Sequence, residues 1–572
     1  MTTRDATPPK EPRPNSGAGS LPNRLLFWGI AALLLLSGFR YAIWGSEDRW
    51  ALIVREMLRC GDFFHPVLNG ELYFDKPLGS YWLACIPSAL LGKVDEYAIR
   101  LPSALEGLML LWCTVRLGRL LFRETVGYAA GWILLGCYGF LFWARQGQAD
   151  MGGALAILAA ILWFFLREDR PGFFSYLVFW LVCFAGAQLK GLASVAVPLV
   201  ALAPRLLREG RWKTHLRLSH LLAAGIAFAL YLLPFLVADR LPLPEGCVVA
   251  PGNPDSGLAL VVRENVVRFF HPFDHKGPVY AYFIHLPRHW GAFAPLGVAA
   301  VAGLFLGRKR LDARGRWLVE ASALGFLFFT LSGSRRWYYI LPLLPLFALQ
   351  IALFLESDVA PKAKALALRL TQLLLAVALL SQLLSPLAFI FLERRFDLLV
   401  PPLLKYAGPI IAIATAALYL LFLRRPAELP KTWGPTVVAA AFLTGCAMNL
   451  QYPQTDFLRG KREFADDVRR VAEAKGLAEE DVVLFLHAQN DVVFYLDHSR
   501  PVRLIRRPEE LSALLRGRAR PLLVVVRGKE LERLESSFGR PLPKPAVEEI
   551  PTPFESSERA DRKRLRAYLL EP

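Results

Sequence analysis

The residues best suited to chemistry are charged side chains that cluster in one polar stretch of a strongly apolar chain. Glu47 and Asp48 stand together in the segment SEDRWALIVREML, and Asp75 precedes Lys76 in LYFDKPLGSYWL. A further carboxylate, Asp150, comes just before a long apolar run. A carboxylate at the mouth of an apolar helix is costly unless it has a use, so these positions are the first candidates for a site.

The elements that position these residues are predicted to be membrane helices. Of the 572 residues, 54% are hydrophobic and 20% are charged, which excludes both an ordinary soluble enzyme and a disordered chain. The net charge of +18, from 67 Lys and Arg against 49 Asp and Glu, would suggest nucleic acid in a soluble protein. In a membrane protein basic cytoplasmic loops explain the same excess, so we expect no nucleic-acid partner.

Thirteen apolar runs are long enough to cross a bilayer, which predicts an α-helical integral membrane protein with about 13 transmembrane helices. Residues 1–24 are rich in Pro, Gly and Ser and are predicted to be a disordered cytoplasmic tail. The first run extends from Leu25 to about Trp44 and lacks a signal-peptide cleavage site. The other runs begin near Leu101, Val126, Met151, Phe173, Gly191, Leu221, Gly291, Trp317, Tyr338, Ala365, Ala407 and Pro435.

Basic residues alternate between the predicted loops, as they do when they mark the cytoplasmic side. This pattern places the N-terminus in the cytoplasm and, because the number of helices is odd, the C-terminus outside. The external loops are then residues 45–100 and 238–290, within a transmembrane domain of residues 25–450. The short run Tyr81 to Leu91 is predicted to be a helix lying at the membrane interface, in the first of these loops.

Residues 451–572 are a different kind of polypeptide. A helix-like stretch from Arg459 to Lys475 precedes the strand-like run DVVLFL, and the helix-like PEELSALLRG precedes a second strand-like run, PLLVVV. The alternation predicts a small α/β domain outside the membrane. The polar group of His487, Asn490 and Asp491 is interpreted as a turn after a strand.

Three motifs in the first external loop carry a family resemblance. They are SEDRWALIVREML, CGDFFHPVLNGELYFDKPLGSYWL and RLPSAL, with weaker matches at RQGQADM, LKGLASVAVPL, ENVVRFFHPFDHKGPVYAYF and SGSRRWYYILPLLP. Together they resemble the GT-C type glycosyltransferases that use polyprenyl-phosphate sugars. The resemblance is strongest to lipid A 4-amino-4-deoxyarabinose transferases and their protein O-mannosyltransferase relatives of glycosyltransferase family 39. It covers residues 25 to about 450 and implies the GT-C fold.

The resemblance implies a bacterial inner-membrane enzyme of lipopolysaccharide modification. Such an enzyme moves a pentose, for example 4-amino-4-deoxyarabinose, or a hexose from undecaprenyl phosphate to an envelope acceptor. Lipid A phosphate is the favoured acceptor, and protein O-glycosylation is the alternative. A flippase for lipid-linked saccharides and a non-catalytic scaffold are the other hypotheses, but a flippase would carry charges in mid-helix, whereas these crowd the helix ends.

The lipid phosphate of such a donor needs cations near the membrane surface. By its match to the family's motif, Lys76 is the first candidate to bind it, and the phenol of Tyr339 could donate to the same phosphate. The further candidates are Arg55, Arg268, Arg335 and Arg336. The alternative is that these cations merely reach the membrane interface and that Tyr339 belongs to an aromatic belt.

The acceptor end of the site would use carboxylates, which can serve as a base for a hydroxyl acceptor. The family's Asp-Glu pair maps onto Ser46 and Glu47, so either Asp48 replaces the missing Asp or Glu47 carries the role. Asp150 is the third catalytic candidate. The alternative for Glu47 and Asp48 is a solvated loop edge.

A divalent metal ion is the one candidate cofactor. Asp75 corresponds to a family Glu that can coordinate such an ion, and His275 is its proposed partner, with His271 as competitor. Surface histidines are the alternative, because one His and one carboxylate do not define a metal site by spacing. The seven cysteines show no CxxC spacing and are treated as structural, although Cys60 and Cys247 could face each other in exposed loops.

Overall fold

Helices form most of the first 450 residues, since an apolar run in an apolar environment must pair its own backbone groups. The computed structural model describes residues 21–39, 41–243, 257–267, 271, 276–396, 400–424, 429–458, 460–516, 518–550 and 557–572. The helices of the first half are α1 (Leu21–Leu36), α2 (Glu47–Cys60), α3 (Gly79–Leu91), α4 (Glu96–Leu121), α5 (Glu124–Gly136), α6 (Tyr138–Trp143), α7 (Asp150–Arg167), α8 (Phe173–Leu189), α9 (Ala193–Arg208) and α10 (Leu218–Ala238).

A short hairpin and eight more helices complete this part. The hairpin pairs β1 (Val67–Leu68) with β2 (Glu71–Leu72). The helices are α11 (Gly257–Val262), α12 (Ala281–Trp290), α13 (Ala294–Leu306), α14 (Ala313–Leu331), α15 (Leu344–Glu356), α16 (Pro361–Phe396), α17 (Pro402–Arg424) and α18 (Gly434–Cys446). A helix therefore lies on each of the thirteen predicted apolar runs.

Within the described ranges, six helical stretches are long and apolar enough to cross a membrane. They are Glu96–Leu121, Asp150–Arg167, Leu218–Ala238, Ala281–Leu306, Pro361–Phe396 and Pro402–Arg424. Four shorter apolar helices accompany them: Pro22–Leu36, Gly79–Leu91, Phe173–Leu189 and Leu341–Glu356. The helix predicted from Tyr81 to Leu91 is thus present as α3.

The first helix differs from its predicted bounds at both ends. It begins at Leu21, inside the predicted tail, and it ends at Leu36, well before Trp44. Its last turn is closed by a buried side chain, because the Arg145 guanidinium donates to the carbonyl of Leu34 at 3.0 Å. Gly38 follows with a φ of +73°, and a Cβ there would lie 2.7 Å from Arg145 Nη2. A side chain thus satisfies the last carbonyls, and the chain turns away.

The C-terminal region, residues 461–570, alternates helices and strands. Its helices are α19 (Lys461–Ala474), α20 (Asn490–Leu496), α21 (Pro508–Leu515), α22 (Leu531–Phe538) and α23 (Ser557–Lys563), and its strands are β3 (Val482–Phe485), β4 (Arg503–Ile505), β5 (Leu522–Arg527), β6 (Val547–Glu548) and β7 (Leu565–Leu570). They form one sheet in the order β4-β3-β5-β7-β6. The continuous apolar runs VVLF and LLVVV form parallel neighbours in the middle of the sheet, where both faces are buried.

One apolar core joins the first loop to the C-terminal region. Trp50 and Ile53 of α2 and Tyr81 of α3 belong to the same buried cluster as Phe464 of α19 and Val493 of α20. A separate, larger cluster fills the space between the membrane helices. Helix α2 is therefore held from the C-terminal side by apolar packing, and its other side is left to face the membrane helices.

Candidate functional site

A cavity of about 480 Å³ lies where α2, α7, α9, α10 and the end of α14 meet. Among the described residues, its charged and phenolic lining residues are Arg49, Asp75, Lys76, Asp150, Lys190, Tyr231, Glu264, Arg336, Tyr338 and Tyr339. Its apolar lining residues include Ile157, Leu192, Phe235, Phe328, Phe329 and Leu341. The cavity therefore offers both a charged and an apolar environment to one ligand.

The ion pair of Asp150 and Lys190 stands at the start of α7. Lys190 caps the end of α8, and its Nζ lies 2.7 Å from Asp150 Oδ1. The second carboxylate oxygen, Asp150 Oδ2, is buried and makes no hydrogen bond within the described part of the chain. Lys190 Nζ also lies 5.5 Å from the ring centre of Tyr338 and 5.9 Å from that of Tyr339. A buried oxygen without a donor beside a cavity is open to a substrate proton or hydroxyl.

A second charged group, from the first loop, faces this pair across the cavity. Lys76 Nζ lies 3.0 Å from Asp75 Oδ2 and 3.6 Å from Glu264 Oε2. Burial lowers the pKa of Lys76, while Asp75 and Glu264 oppose the shift. Burial would raise the pKa of Asp75, but Lys76 and Arg49 together bring it below its ordinary value. Asp75 is thus an ionised carboxylate that holds Lys76 in place.

The segment after α14 supplies the remaining cation. Arg336 Nη1 donates to the Tyr338 hydroxyl at 2.9 Å, and both line the cavity with Tyr339. The neighbouring Arg335 turns away, because its guanidinium donates to the carbonyls of Thr330 and Gly277. Of the two adjacent arginines named from the sequence, the cavity therefore contains Arg336.

Glu47 is fully engaged away from the cavity. Its two oxygens accept from Arg100 at 2.8 and 2.7 Å, and they also accept the backbone N–H groups of Gly147 at 2.7 Å and Trp44 at 3.0 Å. The side chains of the pair are 1% and 0% exposed. The Arg100 guanidinium donates in addition to three carbonyls of the turn after α1. This arrangement fastens the first loop to the membrane helices.

Asp48 points toward the C-terminal region instead of the cavity. Burial and the nearby Asp491 of α20 raise the pKa of Asp48 to about 7. The cavity-facing residue of this turn is Ser46, whose hydroxyl accepts from Arg49 Nη2 at 2.8 Å. This turn thus presents a neutral hydroxyl beside a cation to the cavity.

The remaining predicted residues lie elsewhere. Arg55 faces α20, where it donates to Asp497 Oδ1 at 2.7 Å and to the carbonyl of Phe494. Arg268 and His275 lie outside the described residues. The competitor His271 is exposed and does not line the cavity. The structure thus brings together Asp75, Lys76, Asp150, Arg336 and Tyr339 and leaves Arg55 on another face.

A metal site is not supported by the groups around Asp75. In the described ranges there is no cluster of three or more His, Cys, Asp or Glu side chains that could hold a metal ion. Asp75 Oδ2 already accepts from Lys76 and from the Tyr73 hydroxyl at 3.1 Å. An ammonium at that oxygen repels a second cation, which disfavours a metal ion at Asp75.

Sequence reasoning gave no role to several charged residues in and around this site. Arg49, Lys190 and Glu264 line the cavity and lie inside the motifs that carry the family resemblance. Glu106 of α4 is not among the described lining residues, but its carboxylate accepts the backbone N–H of Gly152 at the start of α7. A Cβ on Gly152 would meet Glu106 Oε1 at 2.6 Å. An acidic residue inside an apolar helix was the available signal for Glu106.

The cysteines are mostly buried among the helices. Cys60, at the end of α2, is disulfide-bonded. Cys85, Cys113, Cys137, Cys183 and Cys446 are free. Cys247 lies outside the described residues.

Comparisons with known proteins point to one group. The family described as Dolichyl-phosphate-mannose-protein mannosyltransferase matches residues 75–237, which include Asp75, Lys76, Asp150 and Lys190. The chain is 28% identical over 339 residues to the undecaprenyl phosphate-alpha-4-amino-4-deoxy-L-arabinose arabinosyl transferase of Edwardsiella ictaluri (strain 93-146), covering 56% of this chain and 57% of the relative. To the same-named protein of Enterobacter sp. (strain 638) it is 26% identical over 333 residues, covering 56% of each. The chain spans little more than half the length of these relatives.

The solved structures extend the likeness to nearly the whole chain. ArnT from Cupriavidus metallidurans bound to undecaprenyl phosphate superposes with a TM-score of 0.71 at 17% identity, covering 95% of this chain and 97% of that one. The chain has the fold of ArnT. The apo form of ArnT gives a TM-score of 0.68 at 18% identity, with the same coverage. The resemblance to GT-C type glycosyltransferases is confirmed, and the likeness to ArnT reaches beyond residue 450, where the sequence motifs had ended.

Proposed function

We propose that this chain is a membrane glycosyltransferase that moves a sugar from a polyprenyl-phosphate carrier to an acceptor of the bacterial cell envelope. The observation that carries the proposal is the charge balance of the cavity. Among the described residues, its lining contains four cations and three carboxylates: Arg49, Lys76, Lys190 and Arg336 against Asp75, Asp150 and Glu264. A site with excess positive charge and an apolar wall suits a lipid that ends in a phosphate.

The cations would stabilise the leaving phosphate. Charge builds on the phosphate oxygens as the bond to the sugar's anomeric carbon breaks, and preorganised donors lower the barrier to that step. Lys76 and Arg336 are the principal candidates, and Tyr339 could donate from the same side. The apolar lining, with Phe235, Phe328 and Phe329, would accommodate the first part of the lipid chain.

The choice of acceptor follows from how the carboxylates are used. Asp75 and Glu264 pair with Lys76, and the position of the family's first carboxylate is occupied by Ser46. Asp150 Oδ2 is buried and makes no hydrogen bond within the described part of the chain. A phosphate acceptor is already ionised and needs little help from a base, which favours lipid A phosphate over a protein hydroxyl. The likeness to 4-amino-4-deoxy-L-arabinose arabinosyl transferases favours 4-amino-4-deoxyarabinose as the sugar.

The proposed topology places the site at the outer face of the inner membrane. Thirteen helices on the predicted runs, with basic loops on alternate turns, support a cytoplasmic N-terminus. Residues 451–572 would then form a periplasmic α/β domain that packs on α2. The GT-C domain would span residues 25–450, with its loops 45–100 and 238–290 outside. A reporter fused at the C-terminus that is active only in the cytoplasm would contradict this topology.

The function is tested by mass spectrometry of lipid A from cells with and without this protein. The expected result is one additional pentose mass, or that of 4-amino-4-deoxyarabinose, in cells that contain the protein. A hexose mass would keep the acceptor and change the sugar. Unchanged lipid A with a new sugar on envelope proteins would favour protein O-glycosylation instead. Unchanged glycans with altered sidedness of the lipid-linked sugar would favour a flippase.

A further inference from the structure

A buried histidine outside the cavity ties the first loop to the end of α10. His65 follows α2, and its side chain is 4% exposed. Its Nδ1 lies 2.7 Å from Asp62 Oδ2, and its Nε2 lies 2.9 Å from the carbonyl oxygen of Ala238, the last residue of α10. Asp62 Oδ1 accepts the backbone N–H groups of Phe64 and His65, which fixes the carboxylate.

The two contacts of His65 together determine how many protons the pair of His65 and Asp62 must hold. A carbonyl oxygen only accepts hydrogen bonds, and an ionised carboxylate only accepts them. A neutral imidazole has one N–H, so it can donate to either Asp62 or the Ala238 carbonyl, but not to both. The lone pair of its other nitrogen then faces the oxygen of the remaining acceptor, which is repulsive. Both contacts are satisfied only when the pair of His65 and Asp62 holds one extra proton, as imidazolium with carboxylate.

His65 packs against the segment that precedes Lys76, the residue proposed to bind the donor phosphate. Its ring packs edge-on against Phe74, with 6.3 Å between ring centres. Phe74 is followed by Asp75 and Lys76, and the backbone N–H of Tyr73 donates to the Pro66 carbonyl at 2.8 Å. The bonds of His65 therefore hold the base of the hairpin β1–β2, and Asp75 and Lys76 follow that hairpin along the chain. On the other side, α10 contributes cavity-lining residues to the same site.

We propose that His65 and Asp62 form a proton-dependent latch, in which His65 is a positioning residue that holds the loop bearing Lys76 against α10. The proposal rests on the proposed glycosyl transfer. With the extra proton present, the hairpin and α10 keep their spacing and the cavity keeps its shape. Without that proton, one of the two contacts is repulsive and the hairpin loosens.

Within the described ranges, Asp62 is the charged side chain that contacts the ring of His65. Asp239, after α10, accepts the backbone N–H of Gly257 at 2.9 Å. Arg263, beyond α11, donates to the carbonyl of Phe74 at 3.3 Å. Arg240 follows Asp239 and is exposed. On α2, Cys60 is disulfide-bonded and does not titrate.

The test replaces the carboxylate by an amide of the same shape. In Asp62→Asn the amide N–H can donate to the lone pair of neutral His65, while Nε2–H still donates to Ala238. Both contacts are then satisfied without the extra proton. The measurement is the rate of sugar transfer from undecaprenyl-phosphate-linked 4-amino-4-deoxyarabinose to lipid A, by the full-length protein in detergent, between about pH 6 and about pH 9.

The wild type is expected to lose about fivefold or more of its rate at the alkaline end relative to Asp62→Asn. His65→Ala should be slow at both ends, and Asp497→Asn, a matched change on the exposed side of α20, should follow the wild-type profile. Superimposable profiles for the wild type and Asp62→Asn would overturn the proposal. Because Asp62→Asn is nearly isosteric, this comparison stands even where His65→Ala fails to fold.

A second measurement, which does not depend on enzyme activity, tests the latch independently of the proposed function. Amide hydrogen exchange over residues 66–78 is compared between the wild type and Asp62→Asn at the same pH. Faster exchange in the wild type at about pH 9, and equal exchange at about pH 6, is expected. If this difference is found and no protein transfers sugar, the latch stands and the proposed function fails. Equal exchange at both pH values would refute the latch.

Discussion

Two carboxylate–cation pairs of this protein look alike in the sequence and differ in what surrounds them. Glu47 and Arg100 are enclosed, and every carboxylate oxygen accepts two hydrogen bonds. Asp150 and Lys190 border the cavity, and one Asp150 oxygen makes no hydrogen bond in the described part of the chain. A pair whose bonds are complete can only hold structure, whereas a pair with an open oxygen at a cavity can still meet a substrate.

The largest effect is expected from breaking the enclosed pair. Glu47→Ala leaves the Arg100 guanidinium buried without its carboxylate, which costs about 3–5 kcal/mol of folding free energy. Purified protein should therefore melt at a markedly lower temperature, or should fail to accumulate in the membrane. A Glu47→Ala protein that melts like the wild type but transfers no sugar would assign Glu47 to catalysis instead.

The next largest effect concerns rate alone. Lys76→Met keeps the length of the side chain and removes its charge from the cavity, where it would face the leaving phosphate. Loss of one such donor typically lowers the rate about 10²- to 10³-fold. The measurement is sugar transfer per unit of folded protein. The matched control is Lys93→Met, an exposed lysine after α3 that should leave the rate unchanged; a normal rate in Lys76→Met would remove Lys76 from the site.

A smaller effect, on stability, is expected at Asp48. Burial and Asp491 raise the pKa of Asp48 to about 7, so between its ordinary value and pH 7 the folded protein binds a proton that the unfolded chain releases. Stability therefore falls as pH rises through that window. Asp48→Asn should melt higher than the wild type at about pH 8, by roughly 2 °C or more, and equally at about pH 3.5. An equal melting temperature at both pH values would show that Asp48 is not held in its neutral form.

The smallest effect is expected on the far side of α2. Asp497 pairs with Arg55, but its side chain is 72% exposed, and exposed pairs contribute at most about 1 kcal/mol. Asp497 has a φ of +52°, which asparagine tolerates, so Asp497→Asn should change neither the rate of transfer nor the melting temperature by a measurable amount. A large loss of rate would show that the contact between α2 and α20 controls the cavity.

Sequence patterns predicted the positions of the helices well. They predicted only in part which charged side chains line the cavity. A helix lies on each apolar run because hydrophobicity and length are local properties, and the strand runs VVLF and LLVVV were found for the same reason. The loop motifs led to Asp75, Lys76 and Asp150, which line the cavity together. The direction in which a loop side chain points is not local: Arg100, 53 positions after Glu47, decides that Glu47 is enclosed. The role of Glu106 likewise depends on its contact with α7.

The most direct test of the account compares cells that contain equal amounts of membrane-inserted wild type or Asp150→Asn. The substitution keeps the shape of the side chain and removes the charge that Lys190 and the substrate would share. We predict sugar-modified lipid A with the wild type and unmodified lipid A with Asp150→Asn, although equal amounts of both proteins are inserted in the membrane. Modified lipid A at wild-type levels with Asp150→Asn would contradict the claim that this cavity is the site of transfer.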